Sequence, residues 1–259
     1  MLMEGGSTLN YMKVLGLIPT RLGSTRLPAK ALLELNGMPL IIHTYRRSKL
    51  AKGLSDLIIC CDNNKILKVA KKYKSKCKLT SVHHKNGTER IAEAYLSLKK
   101  NFDLIIDIQG DEPLISPYHI DQVIEFHKKN PDADIVLPTL SIKFPDSPNL
   151  IKVVTNNKKE VMYLSRSKIP FEFKRKVSTF KKHLSIISFK PDALIKFSKS
   201  KQTPIEKIED IELIRALEIG LKIKSLELKG DSFSVDDYED YLKAKDKMNK
   251  DKLFRTYKK

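Results

Sequence analysis

The sequence predicts an α/β fold with a mostly parallel central sheet, and two observations carry that prediction. Short apolar runs typical of buried strands occur at residues 14–18, 57–61 and 104–108. Segments of helical periodicity lie between them, and strands separated by single helices at this spacing pair in parallel. With 259 residues and 41% hydrophobic content, the chain can bury the core of one large domain of this class.

The predicted elements alternate regularly through the first half and become less regular in the second. In the first half we predict strand 14–18 ended by Pro19, helix 39–49, strand 57–61, helix 66–73, strand 79–82, a helix reaching residue 98, strand 104–108 and a helix from 118. In the second half we predict strand 135–137, an antiparallel pair at 151–154 and 161–164, strand 183–189, helix 208–221, strand 223–228 and helix 236–248.

The ends of the chain set the expected domain organisation, and the cysteines indicate the cellular compartment. We expect a single domain over residues 12–250 and a frayed basic tail over 251–259. Residues 1–11 have neither a basic start nor an apolar centre, which indicates a disordered lead-in that can be removed without loss of activity. No apolar run is long enough for membrane insertion. The three cysteines, which lack metal-binding spacing, indicate reduced thiols in a cytoplasmic protein.

The net charge of +18 raises the question of a nucleic-acid partner. Only nine of the 49 basic residues are arginines, and the lysines are dispersed in pairs without interleaved aromatic residues. Dispersed lysine is typical of a solvated surface, so we expect no nucleic-acid partner.

A basic loop follows the first predicted strand. It carries Arg21, Arg26 and Lys30, with small residues such as Gly23 and Ser24 between them. Small residues let backbone N–H groups approach an anion, and guanidinium forks suit phosphate oxygens. Loops at the carboxyl edge of such a sheet bind nucleotides. The spacing matches neither G-x-G-x-x-G nor G-x-x-x-x-G-K-[ST], so dinucleotide-binding and P-loop sites are not predicted, and a solvated basic loop stays an alternative.

Three further stretches place polar groups near strand or helix ends. Asp111, in Gln-Gly-Asp-Glu-Pro at 109–113, follows a buried strand where a carboxylate suits Mg²⁺, although a capped turn also explains it. Asp236 stands at the start of the last predicted helix, where it could simply be the N-cap. Residues 84–90 contain a second capping pattern, with Thr88 or Asn86 at the helix start.

Several of these stretches together resemble the sugar cytidylyltransferases, in particular the 3-deoxy-manno-octulosonate (Kdo) cytidylyltransferase family. Residues 18–30 resemble I-P-A-R-x-x-S-T-R-L-P-G-K, and 109–113 are identical to Q-G-D-E-P. The remaining matches are 84–90 to H-x-S-G-T-[ED]-R, 163–171 to Y-F-S-R-x-x-I-P-[FY], 183–187 to H-x-G-[IL]-Y, 205–215 to L-E-x-x-E-x-L-E-Q-L-R and 234–240 to G-V-D-T-P-E-D-L. The resemblance runs in register from about residue 14 to about residue 243.

The resemblance implies a Rossmann-like nucleotidyltransferase (nucleotide-diphospho-sugar transferase) fold, with an antiparallel insertion for dimerisation and sugar binding. It implies that the enzyme converts CTP and Kdo to CMP-Kdo and pyrophosphate, for lipopolysaccharide biosynthesis. A magnesium cofactor and a homodimer are implied as well.

The same resemblance assigns roles to residues that match the family motifs. The implied catalytic residues are Arg21, Lys30 and Asp111, and the implied metal ligands are Asp111 and Asp236. The implied nucleotide-binding residues are Pro19, Thr20, Arg21, Ser24, Arg26, Lys30, Asp62, Gly87, Thr88, Arg90 and Gln109. The implied sugar-binding residues are Gln109, Arg166, His183, Glu209 and Glu212, the last two on one predicted helix face.

Departures from the family motifs leave the sugar open. Thr20 and Ala29 replace Ala and Gly in the basic loop without removing a charge, whereas Ile187 and Leu213 replace Tyr and Gln in the expected sugar pocket. The alternatives are therefore another acid, such as 8-amino-Kdo, a sialic-acid-like sugar or a phosphonate. An alternative from another class is a non-catalytic nucleotide- or nucleic-acid-binding protein.

Overall fold

The computed structural model describes residues 12–24 and 26–258, and within them ten of twelve strands form one mixed sheet. The strands are β1 (Val14–Thr20), β2 (Glu34–Leu35), β3 (Met38–Pro39), β4 (Asp56–Cys61), β5 (Cys77–Leu79), β6 (Leu104–Ile108), β7 (Ile135–Ile142), β8 (Lys152–Thr155), β9 (Val161–Ser165), β10 (Phe180–His183), β11 (Ile186–Phe189) and β12 (Ile223–Leu228). The helices are α1 (Leu40–Ser48), α2 (Asn64–Lys72), α3 (Gly87–Ser97), α4 (Pro117–Lys129), α5 (Pro191–Lys199), α6 (Pro204–Glu209), α7 (Glu212–Glu218), α8 (Tyr238–Lys250) and α9 (Phe254–Tyr257).

The large sheet divides into a parallel part and an antiparallel part. Strands β5, β4, β1 and β6 lie side by side in parallel, with β1 paired to β4 on one side and to β6 on the other. Beyond β6 the order continues β11, β7, β10, β8 and β9 with antiparallel pairing, while β12 pairs in parallel with β7. The predicted α/β class with a parallel centre and an antiparallel extension is confirmed.

Helices cover both faces of the sheet, which explains why its central strands are continuously apolar. On β1, Val14 and Ile18 belong to one buried cluster, and Leu15 and Leu17 belong to the other. The first cluster includes residues of α1, α2 and α4, and the second includes residues of α3, α5 and α7. A strand buried on both faces needs apolar residues at every position, so it shows no alternation.

Two predicted strand boundaries were wrong for local reasons. Strand β1 continues through Thr20 by pairing with β4, and proline is tolerated at position 19 because pairing with β6 on the other side has already ended at Leu17. The single strand predicted at 183–189 is two strands, β10 and β11. The break lies at residues 184–185, where the chain changes neighbours: β10 pairs with β8, whereas β11 pairs with β6, and the Gln109 N–H donates to the Ser185 carbonyl at 3.2 Å in line with that second ladder.

The helix predicted at 208–221 is also two helices. Thr203 forms a capping box with Glu206 and starts α6 four residues earlier than expected. Asp210, with φ of 50° in the left-handed region, then ends α6, and α7 begins at Glu212. Glu209 and Glu212 therefore do not share one helix face, contrary to the expectation.

The expectation of a frayed tail was wrong for residues 251–258. Asp251 forms an ion pair with the buried Arg47, and Tyr257 is buried with its hydroxyl 3.1 Å from His43 Nδ1. These long-range contacts fix α9 against α1. The lead-in expected at residues 1–11 lies outside the described residues. In the part of the chain that is described, no helix has the length and apolar character needed to cross a bilayer.

Candidate active site

Two adjoining cavities open at the carboxyl edge of the parallel strands. The smaller has a volume of about 300 Å³ and the larger about 630 Å³. Their shared wall consists of Lys85, Asn86, Gln109, Asp111 and Asp236. Loops that follow β5, β6 and β12 build this wall, as expected for ligand binding at the carboxyl edge of an α/β sheet.

The basic loop after β1 lines the smaller cavity, as does the start of α3. Of the predicted nucleotide-binding residues, those that line it are Pro19, Thr20, Arg21, Ser24, Arg26, Lys30, Gly87, Arg90 and Gln109. Asp62 and Thr88 do not line it. Instead, the Asp62 carboxylate accepts a hydrogen bond from the Leu22 N–H at 3.0 Å and lies 3.6 Å from Arg90, so it holds the loop from behind.

Close backbone packing fixes the floor of this cavity. A Cβ at Gly110 would lie 2.7 Å from the Pro19 carbonyl oxygen, so only glycine fits there. Ala29, where the family motif has glycine, has φ of 52° in the left-handed region. The turn of 3₁₀ helix at Lys30–Leu32 follows directly, and it begins with Lys30.

Lys30 stands at the junction of the two cavities. Its Nζ is 2.8 Å from Asp111 Oδ2 and 3.5 Å from Asp236 Oδ1. Arg26 Nη2 reaches the same Asp236 oxygen at 3.0 Å. The structure thus brings together four residues predicted for phosphate and metal binding, although 210 positions separate Arg26 from Asp236.

Asp236 is not the cap of α8, the helix that it precedes. Asp237 caps α8, and its side chain accepts the Asp240 N–H at 2.9 Å. The Asp236 side chain is free of that role and faces the basic loop. Of the two interpretations of Asp236, the structure favours the one that places its carboxylate in the site.

The donor set at this junction fits Mg²⁺. Two carboxylates within 3.5 Å of one ammonium nitrogen already share a cation, and Mg²⁺ is commonly held by one or two carboxylates plus phosphate oxygens and water. Within the described ranges, no group of three or more His, Cys, Asp or Glu side chains converges to form a complete protein cage. The arrangement therefore suits a metal that arrives with phosphates.

The larger cavity contains four of the five predicted sugar-binding residues. Gln109, Arg166, His183 and Glu212 line it. Glu209 does not: its carboxylate accepts hydrogen bonds from Ser165 Oγ at 2.6 Å and from the Arg166 N–H at 2.9 Å. Glu209 therefore anchors the end of β9 and does not face a ligand.

Arg166 was expected to offer its whole fork to a sugar carboxylate, and the structure corrects this. Its Nε, Nη1 and Nη2 donate to the carbonyl oxygens of Glu209, Pro148 and Asp210 at 2.7, 2.9 and 3.0 Å. Three of the five N–H groups of the guanidinium are thus committed to backbone. Only the remaining edge can reach into the cavity.

Burial shifts the pKa values of the other two sugar-cavity residues. It lowers the pKa of His183 to about 4, so this imidazole is neutral at pH 7. It raises the pKa of Glu212 to about 7. Among the described residues, Glu212 Oε2 and Thr88 Oγ1 make no hydrogen bond of normal geometry, although Thr88 lies close enough to Glu212 to oppose part of the rise in its pKa. A neutral ring and a carboxyl with spare capacity suit the hydroxyl groups of a sugar.

The two departures in the expected sugar pocket lie between the core and the larger cavity. Ile187 and Leu213 are 3% and 1% exposed and belong to a buried cluster, and both also line the larger cavity, as the sequence predicted. Sequence reasoning also missed two carboxyls. Asp107, whose pKa burial raises well above its usual range, accepts from Gln109 Nε2 at 3.2 Å, and Glu112 accepts from Ser232 Oγ at 3.2 Å. A carboxylate inside the apolar run of β6 was the available signal for Asp107.

Comparison with known proteins agrees with this geometry. The cytidylyltransferase family model matches residues 15–223. The 3-deoxy-manno-octulosonate cytidylyltransferase of Fusobacterium nucleatum is 39% identical over 88% of this chain and 94% of that protein. The 8-amino-3,8-dideoxy-manno-octulosonate cytidylyltransferase of Shewanella frigidimarina is 37% identical over 90% of this chain and 97% of that protein. The solved CMP:2-keto-3-deoxy-manno-octonic acid synthetase complexed with CTP has a TM-score of 0.86 at 27% identity, covering 92% of this chain and 99% of that one.

The fold and the paired cavities define a nucleotidyltransferase of the α/β class. Within that class, the chain belongs to the cytidylyltransferase family. The resemblance drawn from the motifs is confirmed, and family membership favours an enzyme over the non-catalytic alternative.

Proposed function

We propose that this enzyme transfers the cytidylyl group of CTP to Kdo and releases pyrophosphate. The observation that carries the proposal is the meeting of Lys30, Asp111 and Asp236 at the wall shared by two cavities. A transfer reaction needs two substrates to meet at one charged point, and this junction offers that point. The Fusobacterium nucleatum relative, which carries the Kdo cytidylyltransferase name at 39% identity, supports the choice of substrates.

The smaller cavity is proposed to bind CTP. Arg21, Arg26 and Lys30 would neutralise the phosphates, and the start of α3 at Gly87 would lie against the nucleoside. The sugar's anomeric oxygen then attacks the α-phosphorus, the bond from that phosphorus to the bridging oxygen breaks, and pyrophosphate leaves with the electron pair. The hydroxyl proton passes to solvent. Because little covalent work falls to the protein, positioning and charge neutralisation dominate.

The larger cavity is proposed to bind the sugar acid. His183 and Glu212 would contact hydroxyl groups, Gln109 would lie between sugar and nucleotide, and the free edge of Arg166 would meet the carboxylate. The wall shared with the smaller cavity would bring the anomeric oxygen toward the α-phosphate.

A magnesium ion is proposed as the cofactor, with Asp111 and Asp236 as its protein ligands. When bound, Mg²⁺ would supply charge stabilisation at the phosphates and lower the pKa of a coordinated hydroxyl. Lys30 would keep the two carboxylates oriented before the nucleotide binds.

The test is pyrophosphate release from CTP in the presence of Kdo and Mg²⁺. We expect release that requires both substrates and stops when Kdo or the metal is omitted. If pyrophosphate is not released with Kdo but is released with another acid, the substrate is that acid and not Kdo. Binding of CTP without any turnover would contradict the proposed reaction.

A second candidate substrate is 8-amino-Kdo. It is favoured by the relative of that name at 37% identity, and the Glu212 carboxyl in the larger cavity could pair with an amine. The same pyrophosphate assay with both sugars distinguishes them, because kcat/KM gives their ratio directly.

The enzyme is also proposed to be a cytoplasmic homodimer that serves lipopolysaccharide biosynthesis. Large exposed apolar side chains near the antiparallel extension support a second copy as the partner: Phe144, Phe171 and Phe173 are 81%, 81% and 83% exposed. Sedimentation equilibrium should give twice the 29.7 kDa chain mass, and a monomer at micromolar concentration would contradict the dimer.

A further inference from the structure

Arg215 lies on α7 outside the set of residues assigned above, yet it joins three separate parts of the chain. It is 1% exposed and stacks over the Phe197 ring, with its guanidinium carbon 4.1 Å from the ring centroid. Its Nη2 donates to Glu206 Oε1 at 2.8 Å, and its Nη1 donates to the Ser200 carbonyl at 2.9 Å. Both terminal nitrogens also reach Glu89 Oε1 at 3.4 Å.

The Glu89 end of this network supports the loop between the two cavities. Glu89 Oε2 accepts from the Lys85 N–H at 3.1 Å, and Glu89 Oε1 accepts from Asn86 Nδ2 at 3.3 Å. Asn86 in turn caps α3 through the Glu89 N–H at 2.8 Å. Lys85 and Asn86 line both cavities, so Arg215 contacts the residue that holds their shared wall.

The Glu206 end holds the outer wall of the larger cavity. Helix α6 has little apolar anchoring, because Ile205 and Ile208 are 40% and 82% exposed and Glu206 is its buried residue. Two arginines fix it in place: Arg215 through the Glu206 carboxylate, and Arg166 through the carbonyls at the helix end. Polar contacts of this kind have well-defined geometry, so a shift of either partner disturbs the other.

We propose that Arg215 is a positioning residue that couples ligand binding in the two cavities. One guanidinium bonds carboxylates of both walls, so a ligand that holds residues 85–89 in place also holds α6 in its position beside the larger cavity. By linkage, the second ligand must tighten the first by the same factor. The assignment of CTP and the sugar acid to these cavities rests on the proposed function.

The experiment measures coupling between ligands in the full chain. Calorimetry gives the Kd of α,β-methylene-CTP, whose α–β bridge is not cleaved, with and without saturating Kdo. We expect Kdo to tighten the nucleotide by about fivefold or more in the wild type, within the usual range of such coupling. Arg215→Lys keeps the charge but loses the planar fork. In this variant the coupling factor, which is the ratio of the nucleotide Kd without and with Kdo, should fall below about twofold. The nucleotide Kd measured without Kdo should change by a smaller factor than the coupling does.

A second variant and a control keep the test sharp. Glu89→Gln removes the charge from a side chain that is 18% exposed, so it should fold even if Arg215→Lys does not, and it should also reduce the coupling. Asp251→Asn breaks another arginine ion pair, at Arg47, and should leave the coupling unchanged while lowering the melting temperature. A mere stability effect would appear in all three variants.

Three outcomes overturn the inference. The first is a wild-type coupling factor near one, and the second is a factor that both the Arg215 and Glu89 variants retain. In either case normal pyrophosphate release by the wild type would leave the proposed function standing. The third is failure of the wild type to bind the nucleotide at all, which would overturn the proposed function together with this inference.

Discussion

At the scale of single residues, Lys30 has the central place in the site. It is 15% exposed and contacts two carboxylates that would otherwise repel each other. Once a nucleotide binds, the same ammonium can turn to a phosphate oxygen. Its role therefore depends on a single point charge at a defined position, which another residue cannot easily supply.

Replacing Lys30 by Ala should lower kcat by about 10²–10³-fold, the usual loss when one preorganised charge at a reacting centre is removed. Steady-state kinetics with CTP and Kdo measure this. Lys129→Ala, an exposed lysine at the end of α4, is the matched control and should retain wild-type kcat. Equal kcat in Lys30→Ala and the control would mean that the basic loop is only a solvated surface.

Glu212 should make the stability of the protein depend on pH. Its folded pKa of about 7 lies above the ordinary value of 4.5, because burial disfavours the charged form. Its contribution to stability is therefore full below pH 4.5 and is lost as the pH rises through 7. Glu212→Gln removes this loss, so the stability of the variant relative to wild type should rise by about 2 kcal/mol between pH 5 and pH 8.

Urea unfolding of both proteins at pH 5 and pH 8 measures that difference. His183 and the other buried histidines titrate equally in both proteins and cancel in the comparison. A difference that stays constant with pH would show that the Glu212 carboxyl has an ordinary pKa.

At the scale of elements, α7 packs in the core and also lines the larger cavity, through Glu212 and Leu213. Leu213 is 1% exposed, so Leu213→Gln would bury an amide without an obvious partner in this apolar cluster. We expect the free energy of unfolding to fall by about 2–3 kcal/mol. We do not expect a change of sugar specificity at unchanged stability.

The matched control for that change is Ile208→Gln on α6, whose side chain is 82% exposed. It should alter stability by less than about 0.5 kcal/mol. Chemical denaturation of both variants measures the two losses. A stable Leu213→Gln with an altered ratio of kcat/KM between Kdo and 8-amino-Kdo would return Leu213 to the list of specificity residues.

The elements show which features of the fold a sequence can reveal. Continuous apolar runs predicted β4 and β6 to within a residue, because burial on both faces leaves a strong local signal. The break at Asp210 left no such signal, since helical periodicity continues across it. The position of α9 was equally hidden, because Asp251 and Tyr257 find Arg47 and His43 about two hundred residues away.

The candidate site likewise has residues whose place the sequence predicted and residues whose contacts it could not predict. The motifs pointed to residues that the structure brings to one cavity: Arg21, Lys30 and Asp111 all line the smaller one, because each lies in a loop after a strand whose carboxyl end is at the same edge of the sheet. The motif at 163–171 gave Arg166 the wrong set of partners. Its contacts with Pro148 and Glu209 depend on how β9 and α6 pack, and a motif carries no information about that packing.

At the scale of the whole molecule, the sheet topology brings distant segments to one point. Asp111 follows β6, the fourth strand of the parallel part, and Asp236 precedes α8 near the other end of the chain. The basic loop after β1, the neighbour of β6, lies between them. The shared junction exists only when the complete sheet is formed.

The central claim is that Asp111 and Asp236 act as one unit at the point of transfer. The measurement that tests it is kcat for the wild type, Asp111→Asn, Asp236→Asn and the double variant, at saturating CTP, Kdo and Mg²⁺. Both side chains are partly exposed at 29%, so circular dichroism should show intact folds. We predict that each single variant loses kcat severely and that the double variant is little worse than either. Fully additive losses, or one single variant with near-normal turnover, would contradict the account.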